Sequence, residues 1–157
     1  MTPADRALLP AELKQYLYLH IPLAQAMAVT VESVSPQSVV LQAPLQPNIN
    51  HHETVFGGSA ASVALLAGWS LLHVRLRAQG LENRLVIQRH SMEHERPIRG
   101  PFTAHAQLDE SERWESFLEM LTRRGKARVT VNTLLEHSGE RVGRLLGEFV
   151  ALRTTQR

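Results

Sequence analysis

The period of the hydrophobic pattern changes several times along this chain, and each change marks an element. Residues 10–19, opening with Pro10-Ala11-Glu12-Leu13, predict a short helix that His20-Ile21-Pro22 breaks, with one further turn over 23–27. Residues 28–34 alternate, with Val29 and Val31 on one face, and 39–43 form a second strand across the turn Ser35-Pro36-Gln37-Ser38. Together these predict a hairpin. Pro44 and Pro47 then stiffen the way into a polar loop, Asn50-His51-His52-Glu53-Thr54-Val55-Phe56-Gly57-Gly58-Ser59. Behind it the run AASVALLAGWSLL is apolar on almost every face. It predicts a helix over 59–79, about 30 Å long at 1.5 Å per residue and buried on all sides. Its second half, from His73 to Arg77, turns amphipathic, and Gly80 supplies a stop.

The remaining chain reads as strands with one inserted helix. A long strand over 85–95 ends at Arg96-Pro97, and Phe102, Ala104, Ala106 and Leu108 alternate strictly with Thr103, His105 and Gln107. Asp109-x-x-Glu112 has the spacing of a capping box. It precedes Trp114, Phe117, Leu118 and Leu121, the one-sided spacing of a surface helix that stops at Gly125. Residues 128–136 and 141–153 form a closing hairpin around His137-Ser138-Gly139-Glu140. Strands that follow one another without helical crossovers predict an α+β protein with a mainly antiparallel sheet, curled around the long helix. An open sheet leaves two edges, and pairing of edges between copies is the usual remedy.

Composition changes little in this picture. A chain of 157 residues with 43% hydrophobic and 20% charged residues suits a single domain over 1–157. Net charge is +2, and the Lys and Arg are scattered with few aromatics between them, so nucleic acid is not an expected partner. The absence of cysteine excludes disulfides, thiolate metal sites and a cysteine nucleophile. MTPADRALLPAEL lacks a basic segment followed by an apolar one, so no signal peptide is expected. The longest apolar run falls short of the roughly 20 residues of a membrane span. A cytoplasmic protein is the resulting expectation.

The chemistry centres on the polar loop. Adjacent glycines at the start of a helix let backbone approach a ligand closely, and the unpaired N–H groups there suit an oxyanion or a phosphate. The bland alternative is that Gly57 and Gly58 only permit close helix–sheet packing. His51-His52-Glu53 and the pair His90 and His94 are weak metal candidates. Consecutive residues seldom converge on one ion, and strand positions four apart lie about 13 Å apart. No metal and no cofactor are expected.

His20-Ile21-Pro22-Leu23, Ala43-Pro44-Leu45, Pro47-Asn48-Ile49-Asn50, Thr54-Val55-Phe56-Gly57-Gly58-Ser59 and Leu66-Ala67-Gly68-Trp69 together carry a resemblance. With them, and in the order of its elements, the chain resembles the hotdog-fold thioesterases, and more narrowly the YiiD C-terminal-domain family. The resemblance implies a homodimer or tetramer that hydrolyses an acyl thioester on coenzyme A or acyl carrier protein. It implies that Asn50 orients the attacking water or the thioester, and that the N–H groups at Gly57 and Gly58 face the thioester carbonyl. Leu65 and Thr54 stand where two related branches carry a carboxylate.

Hydrolysis of a thioester needs an oxyanion donor and a group that deprotonates or positions water. Gly58 and Ser59 offer the first through their amides. Asn50 is a two-way hydrogen-bonding side chain that could instead close an Asx turn, with Asn48 competing for its role. Glu53, His51 and His52 are candidate bases, each equally readable as a solvated loop side chain. Thr54, Ser59 and Ser62 are positioning hydroxyls, and Ser59 can also cap the helix. Candidate catalytic positions are thus Asn50, Glu53, Thr54, Gly58 and Ser59. Candidate substrate contacts are Asn48, His52, Phe56, Gly57 and Ser62. Arg96, Arg99, Arg123, Arg124 and Lys126 read as a solvated face or as contacts for coenzyme A phosphates. The alternative function is an acyl-thioester or fatty-acid binding module without catalysis. A dehydratase on the same fold would need an Asp-x-x-x-x-His arrangement that the chain lacks.

Overall fold

A computed structural model of the chain describes residues 8–154. The stretch read for a signal peptide falls largely on residues 1–7, outside them. The helices are α1 (Pro10–His20), α2 (Pro22–Ala26), α3 (Gly57–Ala78) and α4 (Trp114–Arg124). The strands are β1 (Thr30–Val34), β2 (Val39–Ala43), β3 (Asn83–His94), β4 (Phe102–Leu108), β5 (Lys126–His137) and β6 (Glu140–Arg153). They form one six-stranded sheet in the order β1-β2-β4-β5-β6-β3, with every neighbour antiparallel. The sheet curves around α3, which touches β2, β3, β4, β5 and β6. This is the expected hotdog arrangement.

Alternation makes the wrap possible. Ala127, Val129, Val131, Thr133 and Leu135 of β5 are buried in turn, as are Phe102, Ala104 and Ala106 of β4, so each strand presents one apolar face inward. Against these lie Val63, Ala64, Ala67, Leu71 and Leu72 of α3, all without exposure. By length and composition alone α3 would cross a bilayer, but the sheet closes over most of it. A Schellman motif ends α3: Leu81 N–H donates to the Leu76 carbonyl at 3.2 Å and Gly80 N–H to that of Arg77 at 2.9 Å, with Gly80 at φ +68°.

Several expectations need correction. The long helix starts at Gly57, two residues before Ser59, so the glycines are its first two residues and not its lead-in. Phe56 is the N-cap and makes no side-chain capping bond, which removes Ser59 from that role. Asp109 and Glu112 do not cap α4, whose N-cap is Arg113. The Asp109 carboxylate is taken by the Ser111 amide and hydroxyl, and Glu112 accepts the Thr130 N–H at 2.9 Å, so the pair braces a turn against β5. Finally, β1 opens at Thr30, because Ala28 at φ +55° still belongs to the termination of α2.

A bulge interrupts the regular alternation of β3. Its ladder with β6 runs Ile87 opposite Phe149 and then Arg89 opposite Glu148, leaving Gln88 as the extra residue. Before the bulge Leu85 packs against the core, and after it Met92 does. An odd-numbered and an even-numbered residue thus share a face.

Candidate active site

The loop from Ile49 to Phe56 is tied at both ends. Ile49 and Val55 form an isolated antiparallel bridge, Phe56 N–H donates to the Asn48 carbonyl at 2.7 Å, and Val55 N–H donates to that of Ile98 at 2.9 Å. Asn48 anchors the entry. Its buried side-chain amide donates to the carbonyls of Met27 (3.0 Å) and Pro44 (2.8 Å), which is a structural engagement. Asn50 is bound up in the loop itself. Its Oδ1 accepts the amides of His52 (2.8 Å) and Thr54 (3.2 Å), and its Nδ2 donates to the Thr54 hydroxyl at 3.0 Å. That is an Asx-type turn. It holds Glu53 in the left-handed region at φ +63° and leaves His51, His52 and Glu53 on an exposed tip.

Past Phe56 the chain turns into α3. The first bond of its ladder runs from Ala60 N–H to the Phe56 carbonyl at 3.0 Å. The amides of Gly57, Gly58 and Ser59 therefore stand outside the ladder, at the positive end of a 22-residue helix. Two rings crowd these glycines. A Cβ on Gly58 would come within 2.5 Å of the Phe56 ring, and one on Gly57 within 3.3 Å of the His94 imidazole. A Cβ at Gly58 would displace the exposed Phe56 ring, and one at Gly57 would press on the His94 imidazole.

A cavity of about 400 Å³ opens here, lined among others by Thr54, Gly57, Ala60, Met92, His94 and Ile98. Thr54, Gly57 and Arg96 are the candidates that line it. Asn50, His51, His52, Glu53, Gly58 and Ser59 do not, although Gly58 and Ser59 continue the same helix turn. His94 was not a candidate base on sequence, and its exposed imidazole makes no hydrogen bond within the described residues. Ion pairs flank it. Arg141 holds the Glu95 carboxylate with two bonds of 2.8 and 3.0 Å, and Arg96 reaches Glu140 at 2.9 Å. Among the described residues no cluster of three or more His, Asp or Glu is placed to hold a metal ion.

From Gly58 a half-open stripe follows α3 through Ala61, Ser62, Leu65, Trp69, His73 and Arg77. It ends at a larger cavity of about 590 Å³, away from the glycines, between Tyr16, Trp69, His73 and Leu85. His73 stacks on both Tyr16 (4.5 Å) and Trp69 (4.9 Å), whose own rings lie 6.2 Å apart. Burial first, then the charges of Arg77 and His20, lower its pKa from 6.5 to about 4. Between those values the unfolded chain takes up a proton that the fold refuses, so stability falls as pH drops from 6.5 toward about 4. His73→Phe keeps a ring in the stack and is expected to soften this acid sensitivity. Thermal unfolding at about pH 7 and about pH 4.5 checks it, and equal losses of Tm in both proteins would reject the assignment.

The family model described as "Putative thioesterase (yiiD_Cterm)" matches residues 10–153. Among solved structures, a protein of unknown function from Chlorobaculum tepidum TLS superposes with a TM-score of 0.85 at 26% identity, over 94% of this chain and 99% of that one. A Shewanella oneidensis protein described as a "putative thioesterase" gives 0.82 at 23%, over 91% and 96%. A Pseudomonas aeruginosa protein of unknown function, described as "Probable Thioesterase", gives 0.76 at 24%, over 93% and 97%. The last two are likenesses of fold.

Proposed function

We propose that this chain, which belongs to the thioesterase family matched over its residues 10–153, hydrolyses an acyl thioester on coenzyme A or acyl carrier protein to free acid and thiol. The observation that carries this reading is the open first turn of α3. Its amides at Gly58 and Ser59 lie outside the helix ladder beside a cavity of about 400 Å³, as an oxyanion donor set requires. Thr54 lines the cavity with its hydroxyl held by Asn50, which serves by fixing Thr54 and the loop. A direct part for Asn50 in orienting water would need it to exchange those bonds. The acyl group follows the stripe over Ser62 and Leu65. Eleven helical steps take the chain from Gly58 to Trp69, a run of about 16 Å at 1.5 Å per residue. Release of free thiol from short, medium, long and aromatic acyl-CoA substrates tests the reading, and a folded protein that turns over none of them rejects it.

A second reading, binding without hydrolysis, is favoured by one observation: Leu65 and Thr54, both half-buried, occupy the positions where related branches carry a carboxylate. Saturable binding of acyl-CoA with no thiol release would select it.

We also propose that the unit is a homodimer paired along β3. Of the two sheet edges, β1 is five residues long, bulged and backed by α1. β3 is twelve residues long and almost wholly exposed, including Val86 at 41% and Ile87 at 40%. A long exposed edge with an apolar pair at its middle is a template for a second strand. The double variant Val86→Lys, Ile87→Lys is expected to run as a monomer in light scattering. If its mass equals that of the parent dimer, the seam lies elsewhere.

A further inference from the structure

The proposed hydrolysis lacks a base, and three features of the structure converge on one residue. We propose that His94 is the general base, an inference that rests on the thioesterase reading and completes its chemistry. First, position: the imidazole lies flat over Gly57, with Cε1, Nε2 and Nδ1 at 3.3, 3.7 and 3.8 Å from where a Cβ would be. The ring is thus held against the turn whose free amides are the oxyanion donors. Second, availability: the ring has no hydrogen-bond partner among the described residues, and its face of β3 opens on the cavity that Thr54 also lines. The carboxylates beside it are already used, Glu95 by Arg141 and Glu140 by Arg96. Third, orientation: without the bulge at Gln88, alternation from Leu85 would send Glu93 inward and His94 out. The inserted residue reverses this and turns Met92 and His94 toward α3.

The step balances with no further reagent. Water attacks the thioester carbonyl carbon, a C–O bond forms, and its proton passes to an imidazole nitrogen of His94. The carbonyl oxygen takes the negative charge and is held by the α3 amides. The intermediate then collapses, the C–S bond breaks, and the imidazolium returns the proton to the departing thiolate. Histidine is the side chain suited to both transfers near neutral pH.

The test uses the full chain and the acyl-CoA that the panel shows to be turned over best. His94→Ala is expected to lose roughly 100- to 10,000-fold in kcat, the usual reach of a general base, with a smaller change in KM. Imidazole added to the assay should restore part of the rate of this variant in a saturable way, and should not accelerate the wild type. His94→Gln, close in size, replaces it in the same assay if the alanine variant melts early, and is expected to be equally slow. Wild-type kcat in either variant overturns the proposal and leaves the thioesterase reading standing. A loss confined to KM, or one that imidazole does not repair in the alanine variant, makes His94 a packing residue. An inactive wild type removes the thioesterase reading, and this proposal with it.

Discussion

Ser59→Pro is expected to lower kcat by roughly 100- to 1,000-fold, about 2.7–4 kcal/mol of barrier, while the fold survives. The backbone explains why such a substitution is possible. The α3 ladder begins at Ala60 N–H, so the Ser59 amide makes no bond inside the helix, and proline there removes a donor without breaking the ladder. Proline disfavours the helical region for the residue before it, but that residue is Gly58, the most permissive occupant. Ser59→Ala separates the two groups at this position. It keeps the amide and deletes the hydroxyl, and it is expected to retain near-parental turnover. Steady-state thiol release from the three proteins, with circular dichroism as the fold control, gives the result. Full activity in a folded proline variant would locate the oxyanion donor elsewhere in the turn.

Gly68→Leu is expected to destabilise the chain by about 3 kcal/mol, the upper end of the usual range for overpacking, and to sink its expression. Gly68 lies on the face of α3 that meets β5 and β6. A Cβ there would already stand 3.2 Å from two ring atoms of Phe149 and 3.4 Å from Val131. Both neighbours are 1% exposed, on β6 and β5, so neither can swing into water. Gly68→Ala brings two opposed effects. It gains about 1 kcal/mol of helix propensity and loses a comparable amount to the tight contact with Phe149. Its urea midpoint should fall near that of the parent, whereas the leucine variant should unfold at markedly lower urea. A leucine variant as stable as the parent would mean that helix and sheet can part at this point.

Most of the architecture was legible because it is written in local periods. The apolar run over 60–72 read as a long helix buried on all sides, and the sheet does cover it except along the half-open stripe through Ala61, Ser62, Leu65 and Trp69, while the strict alternation of β4 fixed its inward face. The turn at Ser138-Gly139 and the stop at Gly80 were readable from residues that tolerate positive φ. Where local pattern misled, a side chain had a distant partner. Glu112 has the spacing of a capping box but answers to Thr130, eighteen residues on. The site divides in the same way. The glycine turn was visible as a motif, and Asn50 was visible as a residue able to close a turn upon itself. His94 stood out only beside His90 as a weak metal candidate, and nothing near it in sequence ties it to the glycine turn. It reaches Gly57 through the bond from Val55 to Ile98, which draws the end of β3 alongside the loop, and through a bulge that no alternation count includes.

That bulge gives β3 two phases, joined at a dislocation. Up to Ile87 the odd-numbered residues face the interior, and from Arg89 onward the even-numbered ones do. Loss of Gln88 would leave every rung with β6 in place, and Met92 and His94 would still lie opposite Leu145 and Gly143. Ironing the bulge flat without losing a residue does the opposite. The lower half then slips by one, Glu93 stands opposite Gly143, and the start of α3 faces a carboxylate in place of an imidazole. At this strand the chemistry of the pocket depends on where the extra residue is set aside as much as on which residues follow it.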